Sequence, residues 1–138
     1  MNQTAIFWPV IGHALLVFII YGLLSVRRKA AVMSGSVKIS QFRENQNEPE
    51  QSLFVRNALA NQFELPVLFH VACLSLFVTQ GVGTLALAVA WLFVISRYVH
   101  TAIHVTTNRI RHRQPAFIVG FVMVLLLWVL LGLHVMAR

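Results

Sequence analysis

Arg56-Asn57-Ala58-Leu59-Ala60-Asn61-Gln62-Phe63-Glu64-Leu65-Pro66 sets an acid and the carboxamides of Asn61 and Gln62 directly against the apolar run Leu65 to Val78. That run is too short to cross a bilayer by itself, because a spanning helix needs about 20 residues. Asn57, Asn61 and Glu64, however, stand at i, i+4 and i+7 and share one face of a helix. The opposite face, with Leu59 and Phe63, is apolar, so the spacing predicts one helix running back through the polar half, from about residue 53 to residue 80. Pro66 is expected to kink it and to free a backbone carbonyl that needs another partner. Smooth apolar runs alone would give three spans; this reading gives four.

Composition agrees with a membrane protein. Apolar residues make up 58% of the 138 and charged residues 11%, against about 45–50% and about 25% in soluble domains. A soluble fold would have too little charge to cover its surface. The net charge of +7 raises nucleic acid as a partner, but the basic residues gather in Arg27-Arg28-Lys29 and Arg109-Ile110-Arg111-His112-Arg113. Each cluster directly follows a hydrophobic segment, the layout of topology determinants rather than of a nucleic-acid groove. Cys73 is the only cysteine, which excludes disulfides within the chain and reads as a small buried hydrophobe.

The remaining spans follow in order. Residues 5 to 26 form an apolar run with no basic residues before it and three after it, the pattern of an uncleaved first span rather than of a signal peptide. Residues 30 to 51 are polar and carry Glu44, Glu48 and Glu50, so a solvated loop is expected, with the next helix starting near Pro49. The glycines of Gln80-Gly81-Val82-Gly83-Thr84 make a tight antiparallel turn. A third helix is expected over about 85–112 and a fourth over about 116–136, with Arg109 to Arg113 and Pro115 closing the third. Basic first and third loops and a nearly uncharged second place both termini outside. The chain is thus expected to be a single all-α integral membrane domain over 1–138, an antiparallel four-transmembrane-helix bundle.

On the third helix Arg97, His100, His104, Asn108 and Arg111 stand at offsets of 0, 3, 7, 11 and 14, one stripe. Counting back from the glycine turn at about 1.5 Å per residue makes Glu64 level with His100 and within a turn of Arg97, and Asn61 level with His104. An isolated charge in hydrocarbon is costly, so Glu64 is expected to pair with Arg97, with Asn61 and His100 completing the network. Two matched polar stripes are more than one register lock needs and suit an anionic, amphipathic ligand. Other chemistries have less support. His100 and His104 have metal-ligand spacing but no third ligand of matching character. Haem on His13, His70, His100 or His134 needs a level pair on two helices, which is not evident, and His70 reads as a hydrogen-bonded packing residue. Trp8, Trp91 and Trp128 read as lipid anchors and packing.

The stretch from Asn57 to Phe69, followed after a short turn by Arg97-Tyr98-Val99-His100-Thr101-Ala102-Ile103-His104, resembles the MAPEG family of membrane-associated proteins in eicosanoid and glutathione metabolism, and in particular its bacterial members. The resemblance covers nearly the whole chain. It implies a homotrimer of four-helix subunits in the bacterial inner membrane, with glutathione as co-substrate bound between neighbouring subunits on the cytoplasmic side. By position, Asn61 and Glu64 match the family's Asn-x-x-Glu, and Arg97 and His100 its Arg-x-x-Tyr or Arg-x-x-His. Asn57 stands where the family commonly has arginine, and His104 where it commonly has tyrosine. The resemblance therefore implies a glutathione site at Asn57, Asn61, Glu64, Arg97, His100 and His104. A thiolate-activating arginine follows, for which Arg111 and Arg113 are both candidates.

The function so implied is glutathione transfer to a lipophilic electrophile, or reduction of a hydroperoxide. The alternative is a non-enzymatic membrane protein or small multidrug-type exporter in which a Glu64–Arg97 network is structural. Small exporters of that type carry their acid in the first span, whereas here it lies in the second.

Overall fold

The structure, a computed structural model, describes residues 1–43 and 47–138. Glu44, Asn45 and Gln46 of the first loop lie outside the described residues. A 3-10 turn, Gln3–Ile6, leads into α1 (Phe7–Met33). A short α2 (Ile39–Arg43) follows in the loop, then α3 (Glu50–Asn61), α4 (Leu65–Val78), α5 (Thr84–Val105) and α6 (Ile110–Met136). Four helical stretches, Gln3–Met33, Glu50–Val78, Thr84–Val105 and Ile110–Met136, are long and apolar enough to cross a membrane. The shortest, at 22 residues, rises about 33 Å and covers a hydrocarbon core of about 30 Å.

The second span is a helix in two pieces. Pro66 occupies the second position of α4 and has no N–H to continue the ladder from α3. Glu64 takes φ −98° and ψ −109°, and α3 tightens before it, with Gln62 N and Phe63 N donating to Leu59 O and Ala60 O at 3.0 Å each. Side chains meet the carbonyls near this break. Gln62 Nε2 donates to Ala58 O at 2.9 Å, and Arg97 Nη2 reaches Asn61 O at 3.5 Å.

The third helix ends earlier than residue 112, at Val105. Asn108 adopts φ 49°, a left-handed conformation that asparagine tolerates, and returns its N–H to Ile103 O at 2.8 Å. That contact stops a helix, so the basic cluster opens α6 instead of closing α5. Pro115 sits inside α6 and removes one hydrogen bond without ending it. The stripe expected from Arg97 to Arg111 is therefore real only as far as His104.

At the end of the bundle that carries both termini, Gln3 exchanges hydrogen bonds with Val82 through Nε2 (3.2 Å) and Oε1 (2.9 Å). His134 Nε2 donates to Thr79 O at 2.9 Å. A Cβ on Gly81 would lie 2.6 Å from His134 Cδ2, so the glycine is required by the imidazole. Gly81→Ala should lower stability in detergent by about 1–3 kcal/mol through the displaced ring and lost hydrogen bond. Adding it to His134→Ala should cost much less, which thermal unfolding of the single and double variants checks.

The first loop is less solvated than its composition suggests. Arg28 holds Glu48 through Nε and Nη2 at 2.8 and 3.1 Å, and Arg56 Nη1 lies 3.3 Å from the same carboxylate. Arg56 thus ties the loop to α3. Burial alone would raise the Glu48 carboxyl pKa, but the hydrogen bonds from Arg28 and Ser52 and the charges of Arg28 and Arg56 hold it below the usual range. Because the folded pKa is the lower one, the clamp's contribution is present above about pH 4.3, the ordinary glutamate value. It is lost as pH falls through the folded pKa. Limited proteolysis of the loop should accelerate below about pH 4, and Glu48→Gln should show that faster cleavage already at neutral pH.

Two apolar clusters make the interior. Near the termini, Phe69 and Phe93 stack at 4.3 Å among Ile6, Cys73, Ala90 and Leu127. Nearer the basic loops, Leu16, Ile20 and Leu24 of α1 pack on Val55, Ala58 and Val105. Between them along α1, the broken span and α5 fall His13, Gln62, Arg97 and Thr101, all buried. A polar layer thus crosses the bundle at the level of the helix break.

Candidate functional site

The α5 stripe points inward. Arg97 is 0% exposed, His100 3% and His104 6%. The facing stripe does not: Asn57 and Glu64 are exposed and Asn61 half-buried. The interior face of α3 and the break is instead Ser52, Val55, Ala58 and Gln62. The depth match from the glycine turn holds within a residue, since Gln62 Nε2 donates to Thr101 Oγ1 at 3.2 Å. The facing does not, because Asn57 already stands beside the inner face and the break after Asn61 swings Glu64 outward.

The expected Glu64–Arg97 pair is accordingly absent among the described residues. Arg97 Nη2 donates to Asn61 Oδ1 at 2.6 Å, while its Nε and Nη1 are buried without partners among the described residues. Two more buried nitrogens, Nδ1 of His100 and Nδ1 of His104, also lack partners. Their rings meet edge to face at 5.6 Å, with Phe117 against His100 at 5.9 Å. Buried polar atoms are nearly always hydrogen-bonded. Four orphans on three neighbouring residues of one helix face mark a place built for something else to complete.

Beside them opens a cavity of about 350 Å³ lined by Asn61, His100, His104, Ile110, Arg113, Gln114 and Phe117. Arg113 is held at its rim by Asn108, whose Oδ1 accepts from Nη1 at 2.6 Å. Arg111 is exposed and outside this lining. Gly120 lets α6 approach: a Cβ there would stand 2.9 Å from Ser96 Oγ and 3.8 Å from Arg97 Cδ. The lining carries no acid, so the cavity and the guanidinium behind it favour an anion.

Of the residues singled out in the sequence, the structure brings together Asn61, Arg97, His100, His104 and Arg113, and sets Asn57, Glu64 and Arg111 on the outside of the single chain. Gln114 and Phe117 enter from the first turns of α6, which the early end of α5 makes part of the site. A further network was not legible. His13 Nδ1 lies 2.9 Å from His70 Nε2, and His13 Nε2 lies 3.1 Å from Gln62 Oε1. His70 is hydrogen-bonded as expected, and His13 and His70 are a level pair on two helices that the sequence did not make evident, hydrogen-bonded to each other. Two histidines alone in apolar runs were the available signal. Cys73 is fully buried, as read.

The family model described as MAPEG family matches residues 5–133. No curated protein and no solved structure matches the chain.

Proposed function

The chain belongs to the MAPEG family, and we propose that it is a glutathione-dependent membrane enzyme acting on lipophilic electrophiles or hydroperoxides. The observation that carries this reading is the fully buried Arg97, with two of its nitrogens unpartnered, behind a basic cavity that contains no acid. Glutathione, with two carboxylates and a thiol, fits such a donor set, and when bound it supplies a nucleophilic sulfur. Arg97 would hold a carboxylate through Nε or Nη1, the donors that Asn61 leaves free. The unpartnered His100 and His104 nitrogens would complete the tripeptide's polar contacts. Arg113, at the rim, would stabilise the thiolate by proximity of charge.

The outward Asn57 and Glu64 fit an assembly of several subunits. A carboxylate facing hydrocarbon is costly, and a neighbouring chain laid along α3 would give Glu64 a polar partner. In a homotrimer with glutathione between subunits, Glu64 would face a neighbour's site. The basic loops would lie on the cytoplasmic side of a bacterial inner membrane and both termini outside.

Adding glutathione to the purified protein in lipid nanodiscs should produce a thiolate absorbance band at neutral pH and turnover of a generic aryl halide. Absence of both at saturating glutathione would defeat the proposal.

A further inference from the structure

A second concavity, of about 340 Å³, opens on the other side of the helix break, between α1 and α4. Seven of its ten lining residues are apolar, Val17, Phe18, Phe63, Val67, Val71 and Leu74 among them; the others are His13, Gln62 and His70. Its volume is in the range of about 300–1,000 Å³ typical of small-molecule sites.

The hydrogen bonds assign every proton in the polar part. Gln62 Nε2 faces the carbonyl oxygen of Ala58 at 2.9 Å and Thr101 Oγ1 at 3.2 Å, so this end of the amide is the donor and Oε1 the acceptor. His13 Nε2, 3.1 Å from Oε1, must then carry a hydrogen. In a neutral ring that leaves His13 Nδ1 as an acceptor. His70 Nε2, 2.9 Å from it, must in turn be the donor. The chain Thr101–Gln62–His13–His70 therefore ends on His70 Nδ1, an acceptor with no partner among the described residues.

Water is scarce at that depth. His70 lies eight residues before the end of α4 at Val78, about 12 Å along the axis, well inside a hydrocarbon layer of about 30 Å. Both ring nitrogens of His13 and both amide hydrogens of Gln62 are engaged. The groove thus presents an apolar wall with one unfilled acceptor, and nothing that favours a charge or a ligand with only acceptors.

We propose that the α1–α4 groove, with the His70–His13–Gln62 chain at its base, binds a lipophilic molecule bearing a hydroxyl, such as a long-chain alcohol, whose O–H donates to His70 Nδ1. This site lies on the Gln62 side of the break and the basic cavity on the Asn61 side, so the two ligands are chemically distinct. A saturated acyl chain alone would fill the wall but leave the acceptor unmet. The methyl ether of the same alcohol would do likewise.

The test uses a hexadecanol carrying a diazirine in its chain, and its methyl ether, with the full-length protein in phosphatidylcholine nanodiscs. The alcohol should photolabel peptides containing residues 14–18 and 67–74, and unlabelled hexadecanol should compete. The ether should label them about 5- to 30-fold less, the range expected for one hydrogen bond in an apolar setting. His70→Phe should reduce alcohol labelling to the ether's level while leaving glutathione binding intact, which separates loss of the acceptor from loss of the fold. Equal labelling by alcohol and ether in the wild type would overturn the proposal, as a generic lipid contact. So would the absence of label in these peptides, which would mean that a second subunit covers the groove, or a preference for alcohol that survives His70→Phe.

Discussion

Arg97→Met is expected to weaken glutathione binding at least about 30-fold while leaving the melting temperature of the protein unchanged or higher. The two effects have one cause. Arg97 is fully buried, its only hydrogen-bonding partner among the described residues is the neutral Asn61, and Glu64 attracts it without forming an ion-pair contact. A buried charge without a counter-ion destabilises a fold, and replacing it with an apolar side chain of similar length is often neutral or stabilising. Its partner on binding would be a carboxylate, and removing one member of a buried hydrogen-bonded charge pair costs about 2–5 kcal/mol, which is where the lower bound on the affinity loss comes from. Had Glu64 paired with Arg97, the same variant would strand an acid and lower stability. Calorimetry of binding and of unfolding on one preparation separates these accounts. Arg97→Lys should restore the charge but not the guanidinium geometry and give intermediate affinity.

Arg113→Met should slow conjugation at pH 7 by about 1.5- to 4-fold, with a much smaller effect on affinity, whereas Arg111→Met should leave both near wild type. An adjacent cation lowers the pKa of an acid by about 1–3 units, but from an ordinary thiol value of about 8.5 the thiolate fraction at pH 7 can rise only about 30-fold before it saturates. Nucleophilicity falls as thiol pKa falls, with a Brønsted coefficient of about 0.4–0.5, which offsets most of that gain and leaves a net factor of only a few in the rate. The sign follows. With Arg113 gone the bound thiol's pKa rises toward its ordinary value of about 8.5, so the rate should recover as pH is raised and the profile shift to the alkaline side. The distinction from Arg111 rests on position, since Arg113 lines the cavity and Arg111 is exposed. Equal losses in the two variants would remove the assignment.

Much of this was legible before any coordinates. Four spans followed from extending the second helix back through its polar half, and the inward face of Arg97, His100 and His104 from their spacing. The level of Gln62 with Thr101 followed from the glycine turn. What escaped depends on torsions that spacing does not encode. A regular 3.6-residue period carried Glu64 onto the same face as Asn61, but the break before Pro66, at Glu64 with ψ −109°, aims it elsewhere. The same period carried the α5 stripe on to Asn108 and Arg111, although Asn108 adopts φ 49° and ends the helix. Gln62 was hidden by adjacency, a polar residue beside two others whose spacing drew the argument. His13 and His70 meet across α1 and α4, and only tertiary packing brings such distant residues together.

The central claim is that the unpartnered nitrogens of Arg97, His100 and His104 are completed by glutathione in the cavity that Arg113 guards. An experimental structure of the protein in lipid with glutathione at saturating concentration tests it most directly. The account predicts density for a carboxylate of the tripeptide against Arg97 Nε or Nη1, with its sulfur toward Arg113 and Glu64 of a neighbouring subunit close by. Density elsewhere, or an empty cavity with a Glu64 carboxylate turned in to pair with Arg97, would contradict it.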